Sequence, residues 1–263
     1  MTAVTEVTTP VLKAEGIRMQ FAGIVALNDV HVDVAPGERV GLIGPNGAGK
    51  TTFFNCLLGV VRPTAGTVEL DGEDVTSLPV HERSRRGIGR TFQRIELFPG
   101  ASVREHLLVA DRMANGRRSL WRDLLGLGKP RPDEIARCDE VLELLGLGPL
   151  ADEPIERLSL GQGRLVEVGR ALVTRPRVLL LDEPSSGLDR DETAALAATL
   201  LEVQREHGFA VLLVEHDIEL VASFTTRAVA LDFGRMLCTG TTAEVLGSRA
   251  VREAYFGDLE VAG

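Results

Sequence analysis

Val40-Gly41-Leu42-Ile43-Gly44-Pro45-Asn46-Gly47-Ala48-Gly49-Lys50-Thr51-Thr52 decides the fold. A short apolar run of strand length enters a glycine-rich loop, and residues 51–58 continue with helical character. The result is a strand–loop–helix unit. The loop matches G-x-x-x-x-G-K-[ST] in full. Its glycines let the backbone curl until several N–H groups face one anion. Lys50 brings a point charge to the outer phosphates of a phosphate chain, and the Thr51 hydroxyl is placed to ligate a divalent cation. The helix that follows, with Thr52 in its first turn, adds its N-terminal dipole. A chance glycine-rich turn would lack the strand before it and the helix after it.

Working outward, the flanks keep an α/β rhythm. Residues 11–34 read as strand-like segments about a turn at residues 21–23, and residues 66–75 as a strand pair turning at Asp71-Gly72. Residues 101–150 change character. Val103, Leu107 and Leu108 begin one helical pattern; Ile135, Val141, Leu142 and Leu145 form a second, ended by Gly146 and Gly148. Between them, residues 115–132 are rich in Gly, Arg and Pro and carry the only Trp, Trp121, as expected of an inserted loop. From residue 178 the rhythm returns, with apolar strands at 178–181 and 210–214, a helix marked by Leu196, Leu200 and Val203, and a hairpin about Gly234. Thr241 followed by Glu244 is a capping box.

Val178-Leu179-Leu180-Leu181-Asp182-Glu183 is the second chemical motif. An apolar strand delivers two carboxylates at its C-terminal end, where ligands sit in open α/β sheets. Asp182 is suited to hold a divalent cation through water, and Glu183 to polarise an attacking water.

Composition bounds the rest. The chain has 263 residues, 44% of them apolar, with a formal net charge of −9. That length supports a sizeable core. The acidic balance argues against a nucleic-acid partner, which needs a basic footprint, but not against phosphate held by local dipoles. Cys56, Cys138 and Cys238 are odd in number and far apart, so buried, inert thiols are expected rather than a disulfide or zinc framework. No apolar run approaches the roughly 18 residues of a membrane span. Residues 1–10 lack the basic and apolar regions of a signal peptide and read as a flexible tail.

Phosphate loop and acidic pair together indicate a nucleotide-hydrolysing protein without saying which kind. Leu158-Ser159-Leu160-Gly161-Gln162, before an apolar helical stretch at 165–173, settles that. Here the chain resembles the ABC ATPase family, whose signature is LSGGQ; only Leu160 departs from it. The resemblance implies a P-loop α/β fold over residues 11–257. A core with an antiparallel β-subdomain would occupy about 11–92 and 174–257, and a helical signature subdomain about 93–173. It implies ATP and Mg²⁺ as ligands and assigns further residues. Gln93 in Arg90-Thr91-Phe92-Gln93 resembles the glutamine that senses Mg²⁺ and the γ-phosphate. Ser186-Gly187-Leu188-Asp189 resembles the D-loop, His216 the switch histidine, and Phe21 the aromatic that stacks on adenine. Metal ligands would be Thr51, Gln93 and Asp182. Gly44 to Thr52, with Ser159, Gly161 and Gln162 of a facing copy, would hold the nucleotide. Gly163 stands where many members carry Gln or Arg, and is expected to loosen the start of the signature helix.

Within the family the chain is most similar to the longer ATPase subunit of branched-chain amino acid importers. Residues 44–56, Arg90-Thr91-Phe92-Gln93 with Leu97-Phe98, the insertion at 111–132 and the ending Glu253-Ala254-Tyr255-Phe256-Gly257 carry this. That implies a second ATPase subunit, two membrane permeases contacted through residues 93–110, an extracytoplasmic binding protein, and a place on the cytoplasmic face of the membrane. Lipopolysaccharide-export ATPases are the alternative, on Leu78-Pro79-Val80-His81-Glu82-Arg83 and Arg85-Arg86-Gly87-Ile88-Gly89. A soluble ABC ATPase of DNA repair or the ribosome would need a long heptad insertion or two fused cassettes, and the sequence has neither.

Overall fold

The fully apolar runs and the alternating runs build two different sheets. In the computed structural model, which describes residues 9–91, 98–114 and 130–256, the chain runs β1 (Leu12–Phe21), β2 (Ile24–Val34), β3 (Arg39–Ile43), α1 (Lys50–Leu58), β4 (Ala65–Leu70), β5 (Glu73–Asp74), α2 (Val80–Arg85), β6 (Ile88–Arg90), α3 (Val103–Ala114), α4 (Pro132–Leu144), α5 (Leu160–Leu172), β7 (Val178–Asp182), α6 (Arg190–His207), β8 (Ala210–Val214), α7 (Ile218–Phe224), β9 (Arg227–Asp232), β10 (Arg235–Thr241), α8 (Thr242–Gly247) and α9 (Arg249–Phe256). Gln93, most of the expected insertion, and the first eight residues lie outside the described segments. The insertion's edges are helical: α3 continues to Ala114, and Pro132 opens α4.

The chain divides into two compact units, one of residues up to Arg83 together with those from Gly208, the other Ser84–His207. In the first unit, β3 lies parallel between β8 and β9, with Leu42 opposite Val214 and Ile43 opposite Ala230. β10 pairs antiparallel with β9. Every residue of β8 is buried, as are Val40 to Ile43 of β3; an all-apolar strand of this kind suits a parallel sheet covered on both faces. The second sheet is antiparallel, in the order β2-β1-β4-β5. Leu12, Ala14, Ile17 and Met19 of β1 turn inward. The spacing breaks at Gly16, whose φ of +61° and the register shift there mark a bulge.

A buried cation closes this unit's core. Arg83 donates to the carbonyls of Cys56, Leu57, Thr76 and Leu78. It thereby satisfies carbonyls at the C-terminal end of α1 that the helix leaves without intrahelical partners. Cys56 is buried, as expected, and burial pushes its thiol up to about 11.

In the second unit β6 runs parallel to β7, with Arg90 opposite Leu180. Helices α3, α4 and α5 pack on one another, and Leu107, Leu142, Val166 and Val168 on them are buried. Among the described residues three ion pairs tie α3 to α4: Arg137 to Asp111 at 2.8 Å, Arg112 to Glu134 at 2.9 Å, and Arg104 to Asp139. Cys138 is buried among them and its thiol is raised to about 12 by desolvation. All three cysteines are free. Among the described residues no helix is long and apolar enough to cross a membrane.

Candidate functional site

The phosphate loop leaves β3 at Gly44, whose φ is +151°. A Cβ there would lie 2.2 Å from the carbonyl oxygen of Leu231, so only glycine lets the chain pass. Gly49, at φ +99°, is closed in likewise: a Cβ would meet the Ala26 carbonyl oxygen at 2.8 Å. Gly47 has open space on its Cβ side and a φ of +83°. The loop is therefore anchored at both ends and clear in the middle, where backbone N–H groups of Asn46 to Gly49 are carried. Lys50 is only 6% exposed, and its Nζ donates to the carbonyls of Gly44 at 2.6 Å and Pro45 at 3.1 Å. Helix α1 opens on Gly49 with no side-chain cap and no acidic residue in its first turn. Its positive end is thus left for an anion brought from outside. Thr51 is exposed and Thr52 half-buried at that end. A curled glycine loop, a lysine already curled into it and an uncapped helix fit a phosphate chain; the exposed Thr51 hydroxyl fits a hard cation beside it.

His216 belongs to the same edge of the same unit. Strands β3 and β8 are parallel and in register at Leu42 and Val214, so Gly44 and His216 both leave the sheet at its carboxyl end. The residue between strand and histidine went unremarked in the sequence. Glu215 is completely buried, and its carboxylate accepts from the N–H groups of His216 at 2.9 Å and Asp217 at 3.2 Å. It holds the backbone that presents the exposed His216 ring. The only trace in sequence is an acidic residue directly after five apolar ones. Asp217 then caps α7, accepting from Glu219 and Leu220. Phe21 ends β1 and is 45% exposed, beside the exposed Ile24 and Val25 of the same hairpin.

The second unit carries the carboxylates and the signature. Asp182 ends β7, and its N–H donates to the Thr91 hydroxyl at 3.4 Å. Thr91 lies two residues before Gln93, at the same carboxyl end of the β6–β7 pair. Glu183 follows with a φ of +46°, a left-handed conformation that a glutamate rarely adopts. Its carbonyl accepts from Ser186 N–H in the turn that follows. Asp189 and Glu192 exchange side-chain-to-backbone bonds where α6 begins.

Ser159 caps α5. Its hydroxyl accepts from Gln162 N–H at 3.2 Å, and the Gln162 side chain accepts from Ser159 N–H at 2.9 Å. This reciprocal box offsets the cost expected of Gly163 at the start of the helix. The box gives the Ser159 and Gln162 N–H groups partners, and Gly163 N–H donates to the Ser159 carbonyl in the ordinary helical pattern. Leu160, the departure from the signature, is 43% exposed and its Cδ2 lies 3.1 Å from where a Cβ on Gly187 would stand. The buried Arg164 donates to the Ser186 carbonyl at 2.9 Å. The start of the signature helix and the turn after Glu183 are thus fastened to each other.

Comparison with known proteins places these motifs in context. The family model described as ABC transporter matches residues 27–186. The chain is 39% identical over 255 residues to the high-affinity branched-chain amino acid transport ATP-binding protein BraF of Pseudomonas aeruginosa, covering 95% of this chain and 98% of that one. It is 35% identical over 247 residues to the lipopolysaccharide export system ATP-binding protein LptB of Acidithiobacillus ferridurans, covering 94% and 97%. Among solved structures it is similar to the ADP conformation of an ATP-binding cassette of an ABC transporter, with a TM-score of 0.85 and 29% identity over 95% of this chain and all of that one.

Proposed function

We propose that this chain, which belongs to the ABC transporter family, is the ATP-hydrolysing subunit of an importer for branched-chain or related amino acids. The observation that carries the reading is the phosphate loop, with Lys50 seated on the Gly44 and Pro45 carbonyls at the foot of an uncapped helix. Lys50 is the charge that meets the outer phosphates once it leaves those carbonyls, and the N–H groups from Asn46 to Thr52 hold the rest of the chain. Thr51, Asp182 and Gln93 would hold Mg²⁺, which when bound would supply positive charge to offset the phosphates.

Glu183 takes the proton of the attacking water, and His216 orients the same water against the terminal phosphate. Glu215 serves by fixing the backbone from which His216 projects. Ser159 of a second subunit faces that phosphate. Its hydroxyl lone pair is used by Gln162 N–H, which leaves the O–H free to donate. Gln162 gives its side-chain carbonyl to the cap, so its amide NH₂ is what it offers a ligand. Phe21 stacks on the adenine.

Two ATPase subunits meeting in this way bind two nucleotides and move a pair of membrane permeases, with an extracytoplasmic binding protein delivering substrate. The chain then sits on the cytoplasmic face of the membrane. Identity to the amino-acid transport protein, 39% against 35% for the export protein, favours import. Of the residues that resemble the export group, Arg83 is explained by its four core carbonyls and does not discriminate. Purification of the tagged chain from membranes should recover a permease, and deleting its gene should abolish high-affinity leucine uptake. Unchanged leucine uptake with impaired lipopolysaccharide export would replace this reading with the alternative.

A further inference from the structure

The C-terminal helix reaches the phosphate loop. The Tyr255 hydroxyl of α9 accepts from Gly44 N–H at 2.8 Å, across 211 positions of sequence. Gly44 is thereby bracketed: its N–H is held by Tyr255, and its carbonyl by Lys50 Nζ at 2.6 Å. Its Cα side is walled by the Leu231 carbonyl. The helix is set against this point by the apolar cluster that contains Ile43, Ala230, Val245 and Val251, with the Tyr255 ring packed on it. Ile43, the residue before Gly44, belongs to the cluster on which the ring packs. Burial raises the hydroxyl above its ordinary range, which keeps it neutral where nucleotide binds.

We propose that Tyr255 is a positioning residue for the phosphate loop, and that α9 through it sets the affinity for a nucleotide's phosphates. Lys50 must exchange two carbonyls for phosphate oxygens, and the orientation of the Gly44 peptide decides how those carbonyls compete. With the amide anchored, the peptide stays fixed while Lys50 moves. Without the anchor, Gly44 has lost a partner inside a half-buried site, and the loop relaxes away from its binding form. The tyrosine touches no reacting atom, so its effect belongs to binding rather than to the chemical step. The inference rests on the phosphate-loop reading given above.

The test is Tyr255→Phe in the full chain, which keeps the ring and removes the hydroxyl. ATP and ADP affinities, measured by calorimetry, should weaken roughly tenfold, the size expected for one lost buried hydrogen bond. KM for ATP should rise in parallel, with kcat at saturation held within about twofold. Unchanged affinity, with or without a lower melting temperature, would overturn the proposal and leave Tyr255 a packing residue. Lys50→Ala separates the two levels. If Lys50→Ala binds ATP like the wild type, the phosphate-loop reading itself falls; if it loses ATP while Tyr255→Phe keeps it, only this inference falls. Should Tyr255→Phe fold poorly, the chain's single tyrosine allows a second measurement. Uniform fluorotyrosine labelling then reports Tyr255 alone, and its fluorine resonance should move on addition of ADP. A resonance indifferent to ADP would count against the coupling.

Discussion

Glu183 holds a left-handed backbone, φ +46°, directly after a buried strand. Such a conformation costs of order 1–3 kcal/mol and persists only where the surroundings enforce it. The turn closed by Ser186 N–H on the Glu183 carbonyl is part of that enforcement. We expect Glu183→Gln, isosteric and compatible with the same backbone, to keep ATP binding and lower turnover by roughly 10²–10⁴-fold, the range of a general base. ATPase assays beside nucleotide affinity check this, and near-normal turnover would remove Glu183 from the role. Lys50→Ala belongs to the same scale with the opposite signature. It takes away the charge held on Gly44 and Pro45, so affinity for ATP should fall, readable by equilibrium binding.

Elements decide how firmly those residues are presented. The signature helix α5 starts on a reciprocal Ser159–Gln162 cap. Ser159→Ala should cost about 1 kcal/mol, lowering the melting temperature by a few degrees, in addition to any loss of activity in the assembled dimer. The loop before α3 is pinned by a buried histidine. His106 is 1% exposed; its Nε2 accepts from Phe98 N–H at 2.8 Å while Nδ1–H donates to the Ser102 carbonyl at 2.8 Å. The Phe98 ring stacks on it. Desolvation, and to a lesser extent Arg170, hold His106 below its ordinary value of 6.5, against the opposing pull of the Ser102 carbonyl, Glu105 and Glu156. The neutral ring is the form that fits, since protonation would remove the acceptor for Phe98. The unfolded chain therefore binds the extra proton first. The stabilisation is present in full above about pH 6.5 and is lost as pH falls through the depressed folded value. Denaturant unfolding across that window should show a shallower acid loss in His106→Gln than in the wild type. Equal slopes would assign the acid sensitivity to other groups.

At the scale of the molecule, the residues given roles in the proposed function are divided between the two units. The first unit has the phosphate loop and His216 at one sheet edge. The second has Asp182, Glu183 and the signature. The signature serves a facing subunit in the proposed function, so a lone chain should be a poor enzyme. ATPase activity per mole should rise with chain concentration through the dimer's dissociation range; constant specific activity on dilution would contradict the shared site. The sequence by itself determined the order of elements and the placement of the motifs. Apolar runs at 40–43, 178–181 and 210–214, glycines at fixed offsets and the cap at Thr241 are local signals, each readable within a few residues because strand burial, turn geometry and capping are local physics. The tertiary structure alone decided which distant groups complete them. Arg83 on the carbonyls of α1 and Arg164 on the turn after Glu183 left no mark in spacing or composition, and Glu215 under His216 left only an acidic residue after an apolar run. Tyr255 on Gly44 is the extreme case, because residues 211 positions apart meet only when packing of the apolar cluster brings α9 onto the end of β3.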